Sequence, residues 1–264
     1  MSTEAPLANK RKRDWRGYLH AFGRAHKKAS VQLETSKPLL QHLNELRQRI
    51  FKAFTAVVIT TALSMAFSGQ IIDYLATPIG GREALVSIEI TENIAIFMKV
   101  SLLSGFVLGM PFIVYQTMRF ILPGLQRREK VWMLLGVPLA TMLFVGGVAF
   151  TWFVMLPTAV PFLTSFLGIT TQVRPANYFD FITRLMFWIG LCFEMPLVVM
   201  FLAKLKLVTA GQLARGWRYA IVGMAIVAAV VTPTVDPVNM GLVMAPLMGL
   251  YLVSLLLAAI AGRG

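Results

Sequence analysis

The chain has 264 residues, 57% of them hydrophobic and 14% charged, with a mean hydropathy of +0.69; a soluble domain, with about 25% charged residues and no long apolar runs, does not look like this. Its net charge of +13 would suit nucleic acid in a soluble protein, but here the basic residues gather at the ends of apolar blocks, so the charge reports membrane topology and attraction to anionic lipid, with no nucleic acid as partner. The single cysteine, Cys192, leaves no intrachain disulfide and no Cys-x-x-Cys metal site.

Residues 1–35 are polar and basic, with Lys10-Arg11-Lys12-Arg13 and Lys27-Lys28. They lack the apolar stretch of about 7–15 residues that a secretory signal needs. The expected state is a disordered, lipid-touching cytoplasmic tail, with a partner-docking arm as the alternative. Ser36 as N-cap and Pro38 in the first turn then open a helix. Its apolar stripe is Leu39, Leu43, Leu46 and Ile50, while His42, Glu45 and Arg49 share a polar flank. On that geometry Glu45 has a plain role open to it, an i,i+4 pair with Arg49 worth a few tenths of a kcal/mol.

Six apolar blocks follow, at 50–69, 97–120, 131–156, 180–203, 218–232 and 238–259. A span needs about 20 apolar residues, so the fifth block is short and is expected to dip into the bilayer or thin it. Unbroken runs favour helices over the alternation of a barrel. The expectation is an all-α membrane protein: six transmembrane helices, 36–264, forming one concave bundle. With the N-terminus inside, 21 Lys and Arg fall on the cytoplasmic side, and Arg82, Lys99, Arg174 and Arg184 fall outside. That asymmetry puts both termini in the cytoplasm. Asp73, Glu83, Glu89 and Glu92 give the first outer loop an acidic cast.

Small residues at Gly105, Gly109, Gly146 and Gly147 would let helices approach closely. Glu194 lies inside the stretch 179–203, among Leu191, Phe193, Met195, Leu197 and Val198. A carboxyl at bilayer depth costs several kcal/mol and by default marks a function. Pro196, two residues on, removes a backbone donor and should kink the helix. Together they imply a concave, hydrated surface, with Gln116 of the second span as a candidate facing group. The plainer reading of Glu194 is a carboxyl hydrogen-bonded within the bundle. In the last outer turn, Thr232-Pro233-Thr234-Val235-Asp236-Pro237, Asp236 suits an Asx cap.

The run Pro38-Leu39-Leu40-Gln41-His42-Leu43-Asn44-Glu45-Leu46-Arg47-Gln48-Arg49 resembles the opening signature of the TatC family, the membrane core of twin-arginine protein translocation. Further motifs follow in order. Pro111-Phe112-Ile113-Val114-Tyr115-Gln116 and Phe120-Ile121-Leu122-Pro123-Gly124-Leu125 are similar to the end of the family's second span. Gln126-Arg127-Arg128-Glu129-Lys130 is similar to its His-Glu-Arg loop, Phe193-Glu194-Met195-Pro196 to its Phe-Glu-x-Pro, and Thr232-Pro233 to its Thr-Pro-Pro-Asp turn. The resemblance covers about 36–260. Three places depart from the pattern: Lys130 stands where the family usually has arginine, Arg128 stands where it has histidine and could itself pair with Glu129, and Thr-Val separates Asp236 from the proline.

The resemblance implies a receptor for signal peptides that carry two adjacent arginines. Glu45 and Glu129 match the two glutamates that receive the arginine pair, with His42, Arg47, Phe120 and Lys130 in the same motifs. Glu194, with Gln116, would belong to the membrane-embedded face that receives the signal peptide or a partner's helix. Pro78 matches an outer-loop Ala-Pro, its plain role being a loop breaker. Expected partners are twin-arginine signal peptides of folded proteins, TatA and TatB type single-span subunits, the bilayer, and other copies in an oligomeric complex. The expected location is a bacterial inner membrane. No cofactor, metal or catalytic chemistry is expected: there is no intramembrane His cluster, no Gly-x-Ser-x-Gly and no nucleotide-binding glycine loop. The competing reading is a proton-coupled small-solute transporter using Glu194, which would call for inverted repeats and broken helices.

Overall fold

A computed structural model describes residues 41–121, 127–165, 172–232 and 237–262, with side chains omitted at 121 and 127–135. The tail 1–35, Ser36, Pro38 and Asp236 therefore lie outside the described residues. The chain divides into two units, Met1–Phe51 and Lys52–Gly264.

The amphipathic segment and the first span are one helix, α1, Gln41–Met65. The expected continuation to residue 69 does not hold: the next helix, α2 (Ser68–Ala76), belongs to a stretch turned by 74°. The last turn of α1 tightens, Ala66 and Phe67 donating to Leu63 and Ser64 three residues back. Ser68 then returns its hydroxyl to the Ser64 carbonyl at 2.8 Å, a local bond of the kind that bends helices. Pro78 sits in a one-turn helix, Thr77–Ile79, closed by Gly80 and Gly81 at φ 93° and 95°, a left-handed geometry that glycine adopts without steric penalty.

The other blocks emerge as α3 (Glu92–Ile121), α4 (Arg127–Phe150) continuing into α5 (Leu156–Ser165), α6 (Pro175–Phe193) with α7 (Met195–Lys204), then a short α8 (Ala210–Arg215), α9 (Trp217–Val231) and α10 (Pro237–Ala261). The third block runs nine residues past its expected end at 156. A wide π turn, Thr151–Met155, takes up the mismatch before Pro157, and Thr158 donates its hydroxyl to the Val154 carbonyl at 2.7 Å. Among the described residues, four helices are long and apolar enough to cross a bilayer, and the bent α1–α2 pair would make a fifth. The helix of the fifth block, α9, has 15 residues, about 22 Å, and is as short as its sequence implies.

At the centre of the larger unit stands α6, packed against α3 and α4, with Ile182, Leu185 and Ile189 fully buried. Outward-facing Leu108, Phe112, Met142, Phe153, Ile226 and Leu256 are exposed, the surface a lipid solvent requires. Two close crossings hold the bundle. Where α1 and the first residue of α2 meet α3, Thr60 donates to the Gly105 carbonyl at 2.7 Å, the Ser64 and Ser104 hydroxyls share a hydrogen bond, and Ser68 and Ser101 do so at 2.6 Å. Where α4 meets α6, Gly147 lies against Gly190.

Three of the acids that give the loop between α2 and α3 its acidic cast, Asp73, Glu89 and Glu92, are held in ion pairs. Asp73 pairs with Arg82, and Glu89 with Arg174 at 2.6 Å. Glu92, 3% exposed, is the first residue of α3; it pairs with Arg174 and accepts from the Ser87 hydroxyl and the Ile88 N–H. The pairs, with a bridge between Leu85 and Val173, tie the loop to the start of α6. Glu92→Gln weakens a charged hydrogen-bond set, and a lower denaturant midpoint than wild type is expected in unfolding.

Candidate functional site

The fourth span is a single 30-residue stretch, Pro175–Lys204, whose helical bonding is interrupted at Glu194. This residue ends α6 and precedes α7, its N–H reaching back only to Leu191 at 3.1 Å. Pro196 occupies the first turn of α7, so the break stands where the missing donor predicts it.

Glu194 is 8% exposed, and its Oε1 has no hydrogen-bond partner. It opens into a cavity of about 310 Å3 between α3, α4 and α7, lined chiefly by Met110, Ile113, Val114, Leu197 and Phe201. The polar side chain that α3 supplies there is Thr117, whose hydroxyl donates to its own helix at Ile113. Gln116, the group expected to face Glu194, is half-buried, has contacts of its own, and is not among the residues lining this cavity. Glu194→Met removes the buried unpaired atom at similar volume. Stability is expected to hold or rise by about 1 kcal/mol in thermal unfolding; a drop would make the acid a structural residue.

His42, Glu45 and Arg47 lie on the first turns of α1. Arg49 donates to Glu45 at 3.0 Å, the i,i+4 pair open to that spacing. Gln126 lies outside the described residues, but Arg127 to Lys130, read as part of a loop, form the first turn of α4, and the backbone of Glu129 and Lys130 is helical. An acid in a helix's first turn is favoured by the macrodipole. Phe120 stands near the end of α3, half-buried and with contacts of its own.

Sequence reasoning missed a second charged cluster. Asp180 on α6 accepts from Lys99 of α3 and from Arg184, each at 2.8 Å. The three groups hold the carboxyl, amine and guanidinium level with one another. Arg184 follows Asp180 at i,i+4, the one readable signal. The partner from α3 is 81 positions away.

Comparison with known proteins agrees with the geometry. The family model "Sec-independent protein translocase protein (TatC)" matches residues 41–246. The chain is 34% identical over 234 residues to a Sec-independent protein translocase protein TatC of Deinococcus radiodurans, covering 85% of this chain and 87% of that one. It is 35% identical over 228 residues to the chloroplastic TATC protein of Arabidopsis thaliana, covering 85% of this chain and 67% of that one. A crystal structure of a "Twin Arginine Translocase Receptor- TatC" superposes with a TM-score of 0.75 at 33% identity, over 84% of this chain and 100% of that one. These similarities give the small-solute transporter reading of Glu194 no support. With the six apolar blocks, the broken fourth span and the motif order all in agreement, the chain belongs to the TatC family of Sec-independent protein translocase proteins.

Proposed function

We propose that this chain is the membrane receptor subunit of a twin-arginine translocation system, a binding and assembly protein with no catalytic step of its own. The observation that carries the reading is its likeness to the solved twin-arginine translocase receptor over that chain's whole length. The distribution of Lys and Arg favours both termini in the cytoplasm of a bacterial inner membrane. Glu45 precedes the first span and Glu129 lies between the second and third, so a simple count of crossings gives both the same side.

The two arginines of the signal peptide dock on Glu45 and Glu129, which share their sequence motifs with His42, Arg47, Phe120 and Lys130. A guanidinium is planar, always charged and able to bind a carboxylate through two parallel N–H groups, which lysine cannot reproduce. The apolar part of the peptide, or the helix of a TatA or TatB type subunit, then lies along the membrane face that holds Glu194. Six helices cannot enclose a route for a folded protein, so these single-span subunits and further copies of this chain complete the passage.

The test is binding of a labelled signal peptide to the protein in nanodiscs, with Arg-Arg and Lys-Lys versions compared. Lys-Lys is expected to bind at least about tenfold more weakly, the scale of one charged hydrogen bond. Equal binding would sink the reading.

A further inference from the structure

The charges on two spans fix where the bilayer begins and ends. Lys99 and Arg119 on α3 stand twenty positions apart, as do Arg184 and Lys204 on α6 and α7. That is about 30 Å of helix, the thickness of the hydrocarbon core. Between these charges Glu194 is the one acid or base. Lys99 and Arg184 are level, since both grip Asp180. Trp152, stacked on Tyr74 with ring centroids 4.5 Å apart, follows Lys130 by twenty-two positions and falls at the same boundary, where aromatic belts sit.

At that boundary a cleft of about 430 Å3 opens between α5, α6 and the end of α9. One wall is polar: Arg184, Asp180 and Asn177, with Arg174 at the upper rim. The other is apolar: Val160, Leu163, Phe181 and Val231, the last residue of the short α9. Arg184 leans toward the start of its helix, as helical side chains do, so its guanidinium is presented at the level of Asp180. Lys99 and Arg184 against Asp180 leave one positive charge over, which matches one phosphate. Arg174, paired with Glu89 and Glu92, leaves one net negative charge at the rim, so the attraction for a phosphate is local to the Arg184 guanidinium deeper in the cleft.

We propose that this cleft binds one phospholipid of the leaflet opposite the Glu45 side. The phosphate sits on the Arg184 guanidinium, the distal headgroup lies along Asn177, and the apolar wall takes the glycerol and upper acyl carbons. A free phosphate would use Arg184 but leave that apolar wall idle, and the cleft stands at headgroup depth. Naming the leaflet rests on the topology proposed above; the binding itself does not.

Bound phospholipid would be counted by native mass spectrometry on detergent-purified protein. Melting would then be followed on adding phosphatidylethanolamine, phosphatidylglycerol or glycerol 3-phosphate. Wild type retains one lipid and is stabilised by lipid but not by glycerol phosphate. Arg184→Gln binds about tenfold more weakly, as expected for one lost charged hydrogen bond. Asn177→Leu, which keeps all the ion pairs described above, also binds more weakly. Twin-arginine peptide binding, measured on the same samples, stays at wild-type level in both variants, so failure of the receptor reading would register separately. Three results would each overturn the proposal: equal lipid retention in wild type and both variants, equal stabilisation by glycerol phosphate, or a photo-crosslinker at position 177 that captures the signal peptide and no lipid.

Discussion

Glu45→Ala and Glu129→Ala each lower the affinity for a twin-arginine signal peptide by about tenfold to a hundredfold, the cost of one charge-assisted hydrogen-bond set near a low-dielectric surface. If each carboxylate takes one arginine, Glu45→Ala matched with one peptide arginine changed to glutamine shows coupling, and with the other shows near-additivity. The existing contact sharpens this. Arg49 already holds Glu45 at 3.0 Å, so an incoming guanidinium must share or displace it. Arg49→Gln is therefore expected to leave the peptide affinity unchanged or raise it about twofold, the size of an i,i+4 pair. Isothermal titration in nanodiscs would check all three variants. If Glu45→Ala and Glu129→Ala bind like wild type, the two acids are ordinary surface residues and the receptor site lies elsewhere.

Gly105→Ala is the substitution expected to damage the fold most. A Cβ there would run into the backbone N and Cα of Thr61 as well as its hydroxyl, and backbone cannot step aside as a side chain can. The α1–α3 crossing must then open, which strains the Thr60–Gly105 and Ser64–Ser104 hydrogen bonds. A loss of about 3 kcal/mol is expected, at the upper end of overpacking costs. Gly109→Ala meets the Thr60 hydroxyl at 3.0 Å and should cost less. Gly146→Ala has open space around its Cβ and serves as the control, within about 0.5 kcal/mol of wild type. Thermal unfolding in a single detergent ranks the three. Equal melting for Gly105→Ala and Gly146→Ala would mean that α1 and α3 do not cross as described.

These glycines mark the limit of what could be read from the chain. All four small residues on α3 and α4 look alike in sequence, and each sits in an apolar run. Only the crossings separate Gly105 and Gly147, which touch a neighbouring backbone, from Gly146, which does not. The acids show the same division. Glu194 was legible, because a carboxyl in an apolar run beside a proline has few explanations, and the helix break falls there. Glu92 looked like one more loop acid, since nothing local announces Arg174 82 positions away. Gln116 was chosen to face Glu194 by span order alone; Thr117, the next residue, lines that cavity instead. A helix turns about 100° per residue, so a one-residue error in facing is large.

The amino-acid sequence by itself determined the membrane class, the six apolar blocks, the helical opening before the first span, the short fifth helix and the motifs of the family. Each of these follows from local chemistry: transfer of apolar side chains into lipid, the missing N–H of proline, the charge bias of the flanks. The tertiary structure alone decided the 74° turn after α1, the extension of the third span to Ser165, the glycine crossings, the ion pairs that tie the loop before α3 to the start of α6, and the wall around Glu194. Those depend on which faces meet, and partners distant in the chain leave no local periodicity by which one sequence can reveal them.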